Sequence, residues 1–112
     1  MSKEAIDHAH LARQTGGDQD LERELLCLFA QQCVRHLRTI HGGPDLKTRL
    51  DAAHTLKGAA QAIGAWQVAD AADAIETRLA QPDARGTESA MDALALAAAE
   101  ARAEIARFDC AA

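Results

Sequence analysis

The chain has 112 residues, a formal net charge of -5 and an aromatic content of only 3%. This length allows a single domain over residues 1–112 with one modest core. The net negative charge disfavours sequence-independent binding to the phosphate backbone of nucleic acids. No apolar run approaches the roughly 20 residues that span a bilayer, and the polar N-terminus does not have the character of a signal peptide. We therefore expect a cytoplasmic protein with neither nucleic acid nor a membrane as its partner.

The residue types favour helices throughout. Alanine and leucine dominate the sequence, and it has no tyrosine. Alanine is the best helix former, whereas strands prefer the β-branched and aromatic residues that are scarce here. An all-α fold is therefore predicted.

The first half of the chain divides into two helices and the start of a third. A short helix is predicted from about Ser2 to Arg13, ended by Thr15-Gly16-Gly17. Asp18 suits the N-cap of a long amphipathic helix that runs to about His41. Gly42-Gly43 ends that helix, and Pro44 suits the first position of a third helix. The apolar positions of the long helix are Leu21, Leu25, Leu28, Phe29, Val34, Leu37 and Ile40.

The second half supplies the partners of this long helix. The third helix continues to Ile63, and only Gly64-Ala65 separates it from a fourth, about Trp66 to Ala80, which implies an antiparallel hairpin. A loop from Pro82 to Gly86 precedes a last helix that ends near Phe108. Thr87 or Ser89 can cap this last helix. The sequence predicts an antiparallel up-and-down four-helix bundle with a short additional N-terminal helix. The third helix should bury Leu46, Leu50, Ala53, Leu56, Ala60 and Ile63.

A glycine interrupts the strong helix formers of the third helix. Gly58 costs roughly 1 kcal/mol relative to alanine in a helix interior. His54, four residues earlier, lies on the same face about 6 Å away. A helical wheel turns His54 outward and puts Lys57 at the edge of the apolar stripe, from which its ammonium can reach toward the imidazole. This surface would suit a bulky anionic group.

One reaction uses these three residue types together. A neutral imidazole nitrogen can attack a phosphoryl group and later release it, because the P–N bond is labile. His54 would be the nucleophile, Lys57 the compensating charge and Gly58 the clearance for a partner's active site. The alternative is an ordinary exposed histidine next to a tolerated helix defect.

The remaining histidines and the cysteines show no metal-site spacing. No two histidines are separated by the four residues of a helical metal pair, so we expect no metal ion and no cofactor. Cys27, Cys33 and Cys110 have no CxxC spacing and are expected to be reduced thiols. A metal- or haem-binding bundle stays as an alternative.

The stretch His54-Thr55-Leu56-Lys57-Gly58-Ala59-Ala60, followed by Gly64-Ala65, resembles the signature of histidine-containing phosphotransfer (HPt) domains. These are modules of bacterial multistep phosphorelays, and the order of helices is similar over nearly the whole chain. The resemblance implies that His54 is the phosphoacceptor and that Lys57 and Gly58 support the phosphoryl group and access to it. Thr55 argues against a sensor-kinase dimerisation domain, which usually has an acidic residue there.

The resemblance also implies partners. Receiver domains of hybrid histidine kinases and response regulators would dock on the third and fourth helices and supply the only Mg²⁺. No ATP-binding domain follows, so autokinase activity is not expected. We predict a monomer that docks weakly. An adaptor that binds receiver or kinase domains without being phosphorylated is the alternative function. The predicted docking patch is Asp51, His54, Gly58, Gln61, Ala65 and Ala69, and Glu76 of the fourth helix is also expected to contact the partner.

One position departs from the pattern of the family. Some members have a glutamine on the fourth helix that contacts the histidine, and Glu76 stands at the matching position here. Its carboxylate can accept an imidazole N–H bond and orient the ring, but it would also repel a bound phosphoryl group. A plain solvated charge is the other interpretation.

Overall fold

The fold is known from a computed structural model, which describes residues 4–81, 85–108 and 110. In this part of the chain there are helices and no strands, so the all-α prediction is confirmed. Helices α2 to α5 form the bundle, and α1 packs against α2 and α3. None of the described helices is both long and apolar enough to cross a membrane. The helices are α1 (His8–Thr15), α2 (Gln19–Gly42), α3 (Leu46–Ile63), α4 (Trp66–Leu79) and α5 (Thr87–Ile105).

The hairpin of α3 and α4 has the predicted antiparallel direction. His54 pairs with Glu76, and Lys57, three residues later in α3, pairs with Asp73, three residues earlier in α4. The turn between the helices depends on Gly64, which has a φ of 82°. Only glycine adopts this left-handed conformation routinely. The hairpin therefore turns within two residues and brings the two helices into register.

Two helices begin later than predicted because aspartates cap them. α1 begins at His8, since the Asp7 carboxylate accepts a hydrogen bond from the backbone N–H of His10 at 3.0 Å. Residues 4–7 are not helical, and residues 1–3 lie outside the described part. α3 begins at Leu46, where Asp45 is the N-cap and Pro44 precedes the helix. The Asp18 N-cap of α2 is confirmed by its 3.1 Å bond from the N–H of Leu21.

The last helix differs from the prediction at both ends. Gly86 is its N-cap residue and contributes no side-chain bond, so neither Thr87 nor Ser89 acts as a cap. The helix ends at Ile105, and Phe108 lies in a turn beyond it. The loop predicted from Pro82 to Gly86 falls mostly outside the described residues.

The buried stripe of α2 is rotated from the predicted one. Leu28 is 47% exposed, whereas Leu26 and Cys33 are fully buried. Residues 26, 29, 33 and 40 follow helical steps of three, four and seven, so they share one face. The predicted stripe was correct over most of α3, except at Leu46, which is 50% exposed in the first turn. No polar or charged side chain is buried among the residues described.

α1 is fastened to the turn between α3 and α4. The N–H of Asp7 donates to the carbonyl of Gly64 at 2.9 Å, and the indole Nε1–H of Trp66 donates to the Asp7 carboxylate at 2.9 Å. The ring of His10 lies edge-on to Trp66 and its Nε2 hydrogen-bonds the carbonyl of Gln61 at 3.0 Å. These bonds hold a helix too short to be stable alone.

The Asp7 contact predicts an acid transition of α1. The bond from Trp66, followed by the bond from the His10 N–H, lowers the pKa of Asp7 below its ordinary value of 3.8. A lowered folded-state pKa stabilises the structure above the unfolded-state value, and this contribution is lost as pH falls through the folded-state pKa. We expect the fluorescence of Trp66, the single tryptophan, to change with a midpoint below 3.8. In Asp7→Asn that step should be missing; an unchanged step in the variant would assign it to other carboxylates.

The cysteine prediction is wrong for two of the three residues. Cys27 of α2 and Cys110 form a disulfide, with their Cα atoms 5.6 Å apart. They are 83 residues apart in sequence, so their pairing depends on the fold and no local spacing indicates it. Cys33 is a free thiol, and burial raises its pKa to about 11. It is therefore a poor nucleophile for exchange with the disulfide.

Candidate functional site

His54 stands on the outer face of α3, where a hydrogen bond orients its ring. Its side chain is 68% exposed. Nδ1 lies 3.2 Å from Oε2 of Glu76 across the hairpin. An ionised carboxylate can only accept, so Nδ1 carries the hydrogen of this bond. In the neutral ring Nε2 is then left with its lone pair.

Lys57 is held by the opposite helix. Its Nζ donates to Oδ1 of Asp73 and to Oε1 of Glu76, each at 3.2 Å. The hydrogen bond from Lys57 to Asp73, and then the one to Glu76, raises the pKa of the ammonium. The ammonium therefore stays charged and is linked to His54 through the shared Glu76. Glu76 is therefore not a plain solvated charge, because it contacts both residues and its side chain is only 28% exposed.

Gly58 leaves open space beside the imidazole. The residue is exposed, and a Cβ added to it would meet no atom within 4 Å. Nothing in the described part of the chain therefore requires glycine at this place. Gly64, by contrast, has a positive φ, and a Cβ there would lie 2.9 Å from the Asp7 carbonyl oxygen. One glycine serves the fold and the other leaves surface uncovered.

The predicted docking patch is partly brought together and partly corrected. Asp51 and Gln61 are exposed on α3 along the same face as His54, and Asp51 pairs with Lys47 at 2.8 Å. Ala65 is fully buried and Ala69 is 4% exposed, so the expectation that they line a docking surface is corrected. Their small side chains belong to the hydrophobic core.

Asp73 was missed by the sequence analysis. It is one turn before Glu76 in α4 and contacts Lys57. The antiparallel register of the hairpin could have indicated this contact. If His54 pairs with Glu76, then Lys57, three residues later in α3, pairs with Asp73, three residues earlier in α4. Among the described residues, no three His, Cys, Asp or Glu side chains are grouped closely enough to hold a metal ion.

The arrangement suits nucleophilic attack on an incoming electrophile. The Nδ1 bond orients the ring, the side chain is largely exposed, and the surface one helical turn away at Gly58 is open. Once Nε2 forms a bond, the ring gains positive charge, which the Glu76 carboxylate stabilises through the same hydrogen bond. Because Nδ1 keeps its hydrogen, attack and departure need no proton transfer.

One of the comparisons with known proteins gives a match. Residues 23–104 match the family model of the Hpt domain. No curated protein and no solved structure matches the chain. The matched segment includes both helices of the hairpin and every residue that contacts His54 or Lys57 in the bonds given above.

Proposed function

The chain belongs to the Hpt domain family, and we propose that it carries a phosphoryl group on His54 between the aspartates of receiver domains. Hpt domains transfer phosphoryl groups in His–Asp phosphorelays and are not kinases themselves. One receiver would belong to a hybrid histidine kinase and the other to a response regulator. The proposed form is a monomer, since a small, transient contact suits a relay protein. The proposed location is the cytoplasm, where a disulfide such as Cys27–Cys110 is uncommon.

The single observation that carries the proposal is the state of the imidazole. Nδ1 of His54 is bonded to Glu76, the side chain is largely exposed, and the surface at Gly58 is open. An aspartyl phosphate could approach Nε2 in line, which is the geometry that phosphoryl transfer requires.

The proposed roles divide between the two proteins. His54 is the nucleophile, Glu76 orients it, and Lys57 supplies positive charge to the site. This chain needs no cofactor of its own, and the Mg²⁺ that neutralises phosphoryl oxygens would be held by the carboxylates of the receiver. The docking patch would follow the α3 face at Asp51, His54, Gly58 and Gln61.

Incubation with a phosphorylated receiver tests the proposal. The wild-type protein should acquire an alkali-stable, acid-labile label, and His54→Gln should acquire none. His41→Gln is the matched control, because it removes another exposed histidine and should be labelled like the wild type. Label that persists in His54→Gln would assign the phosphoryl group to another residue.

The exposed α3 face would also suit an adaptor that binds receivers without chemistry. That alternative predicts complex formation with a receiver but no label on any histidine. If no label appears, a measurement of binding between this protein and the unphosphorylated receiver shows whether the two proteins recognise each other at all. Binding without transfer would favour the adaptor.

A further inference from the structure

The Lys57 ammonium is bonded to the same carboxylate that bonds Nδ1 of His54, the ring nitrogen other than the reactive one. Oε1 of Glu76 accepts from Lys57 and Oε2 accepts from Nδ1 of His54. The ammonium is therefore on the Nδ1 side of the ring. Asp73 bonds Nζ at 3.2 Å as well, so two of the three ammonium hydrogens are directed at α4 carboxylates.

The charged side chains near His54, which are Lys57, Asp73 and Glu76, carry more negative than positive charge. Asp73 and Glu76 contribute two carboxylates, against the single ammonium of Lys57. A bound phosphoryl group adds between about one and two further negative charges. On α3, Asp51 is paired with Lys47 at 2.8 Å, so that lysine also has a carboxylate partner. Unless Lys57 changes partners, the phosphoryl group faces uncompensated negative charge.

We propose that Asp73 is a positioning residue that holds Lys57 away from the phosphoryl group on Nε2 and thereby keeps this group readily transferable. The proposal rests on the proposed phosphorylation of His54 and adds a determinant of how long the phosphoryl group stays. Without Asp73, the ammonium is free to turn toward the phosphoryl oxygens and neutralise them. Only the bond to Glu76 then remains, and a single bond allows the ammonium to turn.

The transfer step balances within the two proteins. The Nε2 lone pair forms the N–P bond while the P–O bond to the receiver aspartate breaks, and the aspartate leaves as a carboxylate. In the onward step a second aspartate oxygen attacks phosphorus and the N–P bond breaks, returning the electron pair to Nε2. Nδ1 keeps its hydrogen in both directions, so neither a proton donor nor a redox partner is needed.

The expected effect of removing Asp73 is small, because the ion pair between Lys57 and Asp73 is partly exposed to solvent. The side chain of Asp73 is 62% exposed and that of Lys57 is 23% exposed. Solvent screens such a pair strongly, so removing the Asp73 charge should change the lifetime of phosphohistidine about threefold. The change should shrink in roughly 1 M salt, where the Debye length falls to about 3 Å.

The test uses phosphoramidate, a small P–N donor that needs no receiver. Purified wild-type protein and Asp73→Asn are labelled on His54, the reagent is removed, and the loss of label is followed at neutral pH. We expect a half-life about threefold longer in Asp73→Asn. Asp70→Asn removes the same charge one turn earlier in α4 and should leave the half-life near that of the wild type.

The Lys57→Gln background separates positioning from simple charge. If Asp73 acts through Lys57, the effect of Asp73→Asn should largely disappear when Lys57 is absent. An equal effect in both backgrounds, or an equal effect of Asp70→Asn, would overturn the proposal, as would an unchanged or shorter half-life in Asp73→Asn. Circular dichroism checks that each variant is folded.

The outcomes distinguish this inference from the proposed function. If neither phosphoramidate nor any receiver labels His54, the proposed function fails and the inference fails with it. If His54 is labelled and Asp73→Asn loses the label as fast as the wild type, the function stands and Asp73 has no positioning role.

Discussion

Reduction of the Cys27–Cys110 disulfide is expected to lower the melting temperature by about 16–32 °C. The disulfide joins residues 83 apart in sequence, and closing a loop of that length constrains the unfolded chain by about 4 kcal/mol in the chain-entropy account. Each kcal/mol corresponds to roughly 4–8 °C in a domain near this size. Thermal unfolding with and without a phosphine reductant measures the difference.

The control is the double variant Cys27→Ser/Cys110→Ser. It should melt near the temperature of the reduced wild type and should not respond to reductant. Alkylation of the denatured, unreduced protein counts its free thiols independently. One cysteine should react, because only Cys33 is a free thiol among the described residues. If reductant leaves the melting temperature unchanged, or all three cysteines are alkylated before reduction, the disulfide does not stabilise the protein in solution.

The fold class and the centre of the site could be read from the sequence because they depend on local patterns. His54 and Gly58 are one helical turn apart, and Gly64-Ala65 sets the hairpin. Helical spacing alone brings the first pair together, and a two-residue connection forces the next helix back alongside. No knowledge of distant residues was needed for either inference.

Other features depend on pairings between distant segments. The position of Asp7 under the turn at Gly64, and the contact of Cys27 with Cys110, follow from how α1 and the end of the chain pack. The burial of Ala65 and Ala69 similarly depends on how the helices pack together. A sequence pattern gives the face of a residue but not the distance to the next helix, so the expectation that these alanines belong to an exposed docking patch was wrong.

Replacement of Gly58 should raise stability and slow phosphoryl transfer at the same time. In the isolated protein an added Cβ meets nothing within 4 Å, so Gly58→Ala should raise the free energy of unfolding by about 0.5–1 kcal/mol through helix propensity. Gly58→Gln adds a longer uncharged side chain one helical turn from His54 and should slow transfer from a phosphorylated receiver about 10- to 100-fold, because a small misplacement of reacting atoms has this effect. Denaturation and single-turnover labelling measure the two quantities.

Two controls isolate the role of open space. Ala62→Gln adds a similar side chain to the same helix at an exposed position two turns beyond His54, and it should transfer like the wild type. Gly64→Ala should instead destabilise the fold, since its φ is positive and its Cβ would lie 2.9 Å from the Asp7 carbonyl oxygen. If Gly58→Gln transferred as fast as Ala62→Gln, clearance at Gly58 would have no part in docking. A glycine whose removal stabilises the free protein and impairs only the complex is explained by what it leaves uncovered for the partner.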